Sequence, residues 1–351
     1  MRQVFSLIIP SLILFFSCSL YVDEDKPQIF FEYTDFEVLK LGSSFSDILI
    51  NKDGNLIFLA DYSNNKVLKI KSENSMKIED QIIIGSHPSA MDLNSQGSEI
   101  AIALEGESKI KILNVESFTV VNSLPIPLMN VNDLIFINDS TIIVSSNTDP
   151  SCISLNINDG TVKSQSVLNG ELAIDRDNDI LYVATTSSIK KYNWDGNGFA
   201  QDQNISDPYG FIGSINHCMY EPISNSIFLC ISNKDEDSGV QHVYSYNASN
   251  MTFAGKYLTK SAGLATSVSK DGNRIFIAPQ DADEIGVFII EFDHETKLEK
   301  KYYLSAGNLT KRGLILDTDS GYLYALVHIP GDDNSFEPYN NHLFDLQRIK
   351  I

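Results

Sequence analysis

One feature constrains this chain above all others: a single unit recurs seven times along it. Each copy has a polar turn, a run of alternating apolar residues, a second polar turn and another such run. The clearest copies are Asn55-Leu-Ile-Phe-Leu-Ala60, Ser98-Glu-Ile-Ala-Ile-Ala103 and Asn273-Arg-Ile-Phe-Ile-Ala278, with Ser140–Ser145, Asp179–Ala184, Asn225–Cys230 and Gly321–Leu326 completing the set. Their first apolar anchors are Ile57, Ile100, Ile142, Leu181, Ile227, Ile275 and Leu323, spaced by 43, 42, 39, 46, 48 and 48 residues. A strand-rich repeat of about 40–50 residues is the period of a four-stranded propeller blade.

The second unit parses into four strands: His87–Leu93 innermost, then Glu99–Leu104, Lys109–Val115 and Phe118–Leu124. Turn pairs Gln96-Gly97, Gly106-Glu107 and Glu116-Ser117 separate them. No stretch of ten residues after the first 28 shows a capped helical period. The expected fold class is therefore all-β, a seven-bladed β-propeller of four-stranded antiparallel blades in one domain over residues 29–351. The seventh unit has Gly313–Leu316, Tyr322–His328 and His342–Ile349 but lacks an outer strand. The segment Ile29–Leu41 is expected to supply it, so that an N-terminal strand closes the ring and removes two open edges.

The second unit also carries Ile84-Gly85-Ser86-His87-Pro88-Ser89-Ala90-Met91, followed by Gly97 and Ile100–Ala103. This resembles the repeat signature of the YVTN (YncE-like) β-propeller family. Asp53-Gly54 and Asp271-Gly272, each before an apolar strand, resemble its turn, and Ile153–Val162 is similar to its third strand. The likeness spans residues 29–351, but Pro88 recurs at the matching place of no other unit, and the fifth and seventh units carry long insertions. It implies a propeller and no particular reaction. Similar propellers in exported Bacteroidetes-type lipoproteins are associated with ligand capture beside outer-membrane transporters.

The N-terminus gives an expected address. Arg2 is the only charge before Asp23, and Val4–Phe16 is almost wholly apolar. A basic start and an apolar run of about a dozen residues read as a secretory signal, too short for the roughly 20 residues of a membrane helix. Phe16-Ser17-Cys18-Ser19 resembles a bacterial lipobox. The reading is a signal peptide at 1–17, lipidation at Cys18, a linker at 18–28 and an outer-membrane lipoprotein held to the membrane only by its lipid. With 26 Lys plus Arg against 46 Asp plus Glu, the net charge of −20 disfavours nucleic acid and anionic headgroups.

Candidate functional residues follow from the expected ring. Strand starts and second-to-third-strand loops share one face, where His87, His217, Arg312, His328 and Tyr339 are the proposed ligand contacts. Arg312, a cation near the axis of an acidic protein, suits an anionic group, or else forms a salt bridge to a neighbouring blade. Loop aromatics Tyr62, Tyr209, Phe211 and Phe336 extend that surface, and the insertions at Ser206–Asn216, Asn233–Gly239 and Ile329–Asn341 lie on it. Cys218 and Cys230 flank one hairpin turn, as a disulfide or as two packed thiols. No nucleophile elbow, metalloprotease motif, phosphate loop or dinucleotide fingerprint occurs. The reading is a monomeric, non-enzymatic binding module without a cofactor, capturing a small molecule or an outer-membrane protein. Its alternative is a metal-dependent propeller hydrolase or lactonase with its site at the central tunnel mouth. There the inner-strand starts offer Asn132, Glu171, Asn216 and Arg312, an incomplete and partly cationic set.

Overall fold

A computed structural model of the chain describes residues 30–32, 36–206, 213–233, 242–259, 261–280, 287–329 and 343–351. All regular elements among them are strands, and among the described residues no helix is long and apolar enough to cross a membrane. The strands form seven sheets arranged as the blades of a propeller. The innermost strands are Phe45–Ile50, Pro88–Leu93, Val131–Asn138, Glu171–Asp175, Gly213–Glu221, Gly263–Val268 and Asn308–Asp317, from blade 1 to blade 7. Next outward come Leu56–Asp61, Glu99–Leu104, Thr141–Ser146, Ile180–Thr185, Ser226–Asn233, Arg274–Pro279 and Tyr322–Ile329. All seven anchors of the repeat lie in these second strands. The four strands of the second blade fall where the spacing put them.

The second strands are apolar at nearly every position because both of their faces are buried. In blade 1, Ile57 and Leu59 face blade 7, packing with Tyr324, Leu326 and Leu346. Phe58 and Ala60 face the other way, toward Met91, Ile100 and Ile102 of blade 2. Alternation between two buried faces yields a continuous apolar run rather than an apolar–polar alternation. The same logic gives one hydrophobic cluster at each of the seven blade–blade junctions, the junction of blade 7 with blade 1 included.

The expected N-terminal strand divides in two. Phe36–Lys40 is the outer strand of blade 7, antiparallel to Leu343–Lys350 with Leu39 opposite Leu346. Phe30–Glu32 instead adds a parallel fifth strand to blade 6, with Phe31 opposite Tyr302. One straight strand cannot follow the rims of two different sheets, so the segment serves each in turn. Glu37 ties the blade 7–blade 1 junction together. Its carboxylate meets Arg348 at 2.5 Å and accepts the Met76 N–H at 2.6 Å. The buried Arg348 guanidinium also donates to the Ser72 and Asn74 carbonyls of blade 1.

The described cysteines Cys152, Cys218 and Cys230 are buried thiols, not disulfide-bonded. Cys218 lies opposite Leu229, and Cys230 opposite His217. That register sends the two thiols to opposite faces of blade 5. Cys218 packs toward blade 4 and Cys230 toward blade 6, so the pair of a possible disulfide is separated by its own sheet.

Candidate functional site

Where the inner strands approach the axis, six of the seven are irregular. Register shifts fall at Phe45/Asp47, Pro88/Ala90, Val131/Asp133, Ile215/His217, Gly263/Ala265 and Leu309/Leu314. A bulge re-aims the side chain beside it. In register with their second strands, Asp47, Ala90, Asp133, Glu171, His217 and Ala265 occupy equivalent places around the axis. Blade 7 fills its place with Gly313, where an added Cβ would come within 3.1 Å of the Leu326 carbonyl oxygen. Each of these seven residues stands nine or ten positions before its repeat anchor.

Three of them clamp the next blade by one rule. Asp47 accepts the Met91 N–H at 2.8 Å, Asp133 the Leu172 N–H at 2.9 Å, and His217 Nδ1 the Thr266 N–H at 3.3 Å. The residue before each supplies a second tie. Ser46 Oγ donates to the Pro88 carbonyl at 2.6 Å, Asn132 Nδ2 to Gly170 at 3.3 Å, and Asn216 Nδ2 to Gly263 at 2.9 Å. Blades 1, 3 and 5 thus each grip the blade that follows.

Arg312 crosses the channel from blade 7, at a left-handed φ of 56°. Its guanidinium meets Glu171 of blade 4 and Asp133 of blade 3, the latter at 3.1 Å, and is only 11% exposed. Lys311 meets the other Glu171 oxygen at 2.7 Å. Burial pushes the Asp133 carboxyl up to about 7 and Asp47 up to about 6, with Arg312 acting against both shifts. Burial also raises Glu171, but Arg312 and Lys311 outweigh it and hold that carboxyl below its ordinary range. Burial loses likewise at Arg312, where Asp133, Glu171 and Asp47 keep the guanidinium firmly charged. Burial, with Arg312 nearby, pushes His217 down to about 4, so it is neutral at physiological pH. The axis therefore carries a nearly balanced cluster rather than an open cation.

Two cavities lie toward opposite faces of the ring. The upper one, on the face where inner strands begin, is about 310 Å³ and is lined by Asn132, Asn147, Thr186, Ile215, Asn216 and Lys311 among others. The lower one, about 390 Å³, is lined by Asn51, Lys52, Asp92, Asn94, Arg176 and Asp317 among others. Arg176 spans the lower mouth from the blade 4 turn, meeting Asp92 of blade 2 at 2.6 Å and the Phe136 carbonyl of blade 3 at 3.2 Å.

The candidate contacts read from sequence scatter. His217 and Arg312 both lie at the axis, close enough for the guanidinium charge to act on the imidazole. His87 is exposed on the upper rim, stacked on Tyr62 at 4.6 Å, whose hydroxyl donates to Glu105 at 3.1 Å. His328 lies at the rim of blade 7 with its ring 5.2 Å from Phe344. Among the described residues no three His, Cys, Asp or Glu side chains could together hold a metal ion. Tyr339, Tyr209, Phe211, Phe336 and Cys18 lie outside the described residues, as does most of each insertion. As for Arg312, the salt bridge is the alternative the structure realises, although it reaches across the ring instead of to a neighbouring blade. Sequence reasoning passed over Asp47, Asp92, Asp133, Arg176 and Lys311. The constant offset from the anchors is the signal that would have found Asp47 and Asp133.

No family model matches the chain, and no curated protein does. Solved structures do. The Cps50 (Swd1) β-propeller domain of Myceliophteria thermophila superposes with a TM-score of 0.69 at 8% identity, over 89% of this chain and 99% of that one. A hydrazine synthase chain of Kuenenia stuttgartiensis gives 0.67 at 10% identity, over 82% and 94%. The C-terminal WD40 domain of Sif2 gives 0.59 at 13% identity, over 88% and 82%. At such identities the likeness is one of fold, a seven-bladed propeller, and fold does not carry function.

Proposed function

We propose that this protein is an exported, lipid-anchored, non-enzymatic binding module that captures a small molecule or partner protein on the upper face of its ring. The observation that carries this reading is the state of the axial groups. Asp133 and Glu171 are committed to Arg312, Asp47 and His217 to backbone N–H groups of adjacent blades. Groups so engaged hold the ring in shape and are poor bases or metal ligands, which weighs against the hydrolase alternative. What stays available is the rigid rim and the two cavities, of which the lower is bridged by the Arg176–Asp92 pair, and loops on a rigid scaffold are where recognition is placed. Export and anchoring rest on the N-terminal sequence. The test compares wild type, Thr186→Trp at the upper mouth and Lys52→Trp at the lower one, screened against metabolite and envelope-protein pools. Ligands that bind wild type and Lys52→Trp but not Thr186→Trp support the reading. Ligands lost only on Lys52→Trp, or binding all three alike, overturn it.

A further inference from the structure

The upper cavity has a chemistry of its own, set by which hydrogen-bonding atoms the protein has already used. Asn132 spends its Nδ2 on the Gly170 carbonyl and, at 3.2 Å, on Glu171, and Asn216 spends its Nδ2 on Gly263. An amide anchored through its nitrogen leaves its carbonyl oxygen as an acceptor. Asn132 Oδ1 and Asn216 Oδ1 have no protein donor among the described residues. Lys311 donates one N–H to Glu171 and keeps two. The Asn147 amide and Thr186 hydroxyl, both exposed, make no side-chain hydrogen bond among the described residues and can donate or accept. Ile215 and Ala184 add a small apolar patch to the wall.

We infer that this cavity binds a neutral polyhydroxylated ligand of monosaccharide size, an inference that rests on the upper-face reading above. A hydroxyl both donates and accepts, so a set of hydroxyls satisfies two fixed amide oxygens and the Lys311 N–H groups together without adding charge. A carboxylate or phosphate only accepts. It would oppose the oxygens of Asn132 and Asn216 and compete with Glu171 for Lys311, in a protein whose overall field already repels anions. An ammonium would have to sit beside Lys311 and Arg312, whose carboxylate partner is already shared between them. The cavity's 310 Å³ lies at the small end of ligand pockets, which run from about 300 to 1,000 Å³.

The test is calorimetric titration of the full chain with D-glucose, D-mannose, D-galactose and myo-inositol, alongside glucose 6-phosphate and glucosamine. At least one neutral probe should bind more tightly than either charged one. Asn147→Ala and Thr186→Val truncate exposed side chains that make no hydrogen bond among the described residues. Each should weaken binding about 2- to 10-fold, one hydrogen bond apiece. The inference falls if no neutral probe binds, if a charged analogue binds as well, or if both variants keep wild-type affinity. If it falls while Thr186→Trp still blocks capture of another ligand, the upper face remains the binding face and only the polyol assignment is lost.

Discussion

Replacing Arg312 with Met tests whether the axial cluster is structural. Methionine keeps most of the apolar stem and, like arginine, has a Cβ, so the cost of the left-handed φ of 56° is the same before and after. What changes is charge. Glu171 and Asp133, 4% and 14% exposed, lose the guanidinium that faces both. Removing one partner of a buried ion pair costs about 3–5 kcal/mol, because the charge left behind is uncompensated. Lys311 still reaches Glu171 at 2.7 Å and Asp133 can take up a proton, so the lower half of that range is the expectation. At roughly 1.4 °C per kcal/mol for a chain of this size, Tm should drop by about 4–6 °C. Urea denaturation and calorimetry at pH 7 would read both numbers. A triple variant adding Asp133→Asn and Glu171→Gln removes the stranded charges and should recover at least half of the loss. A loss below about 1 kcal/mol in Arg312→Met, or no recovery in the triple variant, would refute the cluster as a structural tie.

Further expectations follow from the same geometry. His217 is held neutral down to about pH 4, so its contribution to stability is present above about 6.5 and is lost as pH falls between those values. Asp47 and Asp133, raised to about 6 and about 7, act in the opposite sense, adding stability as pH falls toward their ordinary 3.8. Relative to wild type, His217→Gln should therefore gain stability from pH 7 to pH 5, and Asp133→Asn should lose it; denaturation curves with identical pH slopes would contradict both assignments. Glu37→Ala frees the Met76 N–H and unpairs the buried Arg348, and should lower stability by about 2–4 kcal/mol, while deleting residues 1–41 should be worse because it bares the edge of blade 7. Burial pushes the Cys152 and Cys230 thiols up to about 12 and Cys218 well above its ordinary value, so none of the three should react with a thiol reagent until the protein unfolds. Cys18→Ala should release the protein from membranes into the soluble fraction, and a wild type already soluble would sink the anchored reading.

The blades were legible because burial on two faces writes itself into the sequence. Ile57-Phe58-Leu59-Ala60 and five of its six counterparts are apolar throughout, that of blade 3 ending in the buried Ser145, and a strand must be central to be so. Turn chemistry then marked the boundaries. The axial cluster was harder to read because its contacts join residues 140 and 141 positions apart, Lys311 and Arg312 with Glu171. Nothing local announces such a pairing. Only the ring, once assumed, brings blade 7 to face blades 3 and 4, and only the bulge before Asp133 turns that carboxylate toward the axis. The fate of Cys218 and Cys230 was likewise a matter of register: one residue of offset decides which face of blade 5 each thiol takes.

The central claim, that recognition uses the upper mouth while the axis serves as a plug, is tested most directly by blocking each mouth covalently. With Cys18 replaced by Ala and the three buried thiols unreactive, Thr186→Cys and Lys52→Cys each offer a single site for a maleimide carrying a bulky polyether. The two positions line the upper and lower cavities. Affinity for the best ligand found in the screen should fall at least tenfold on labelling Thr186→Cys and stay within twofold on labelling Lys52→Cys. The opposite pattern, or equal loss at both mouths, would contradict the account.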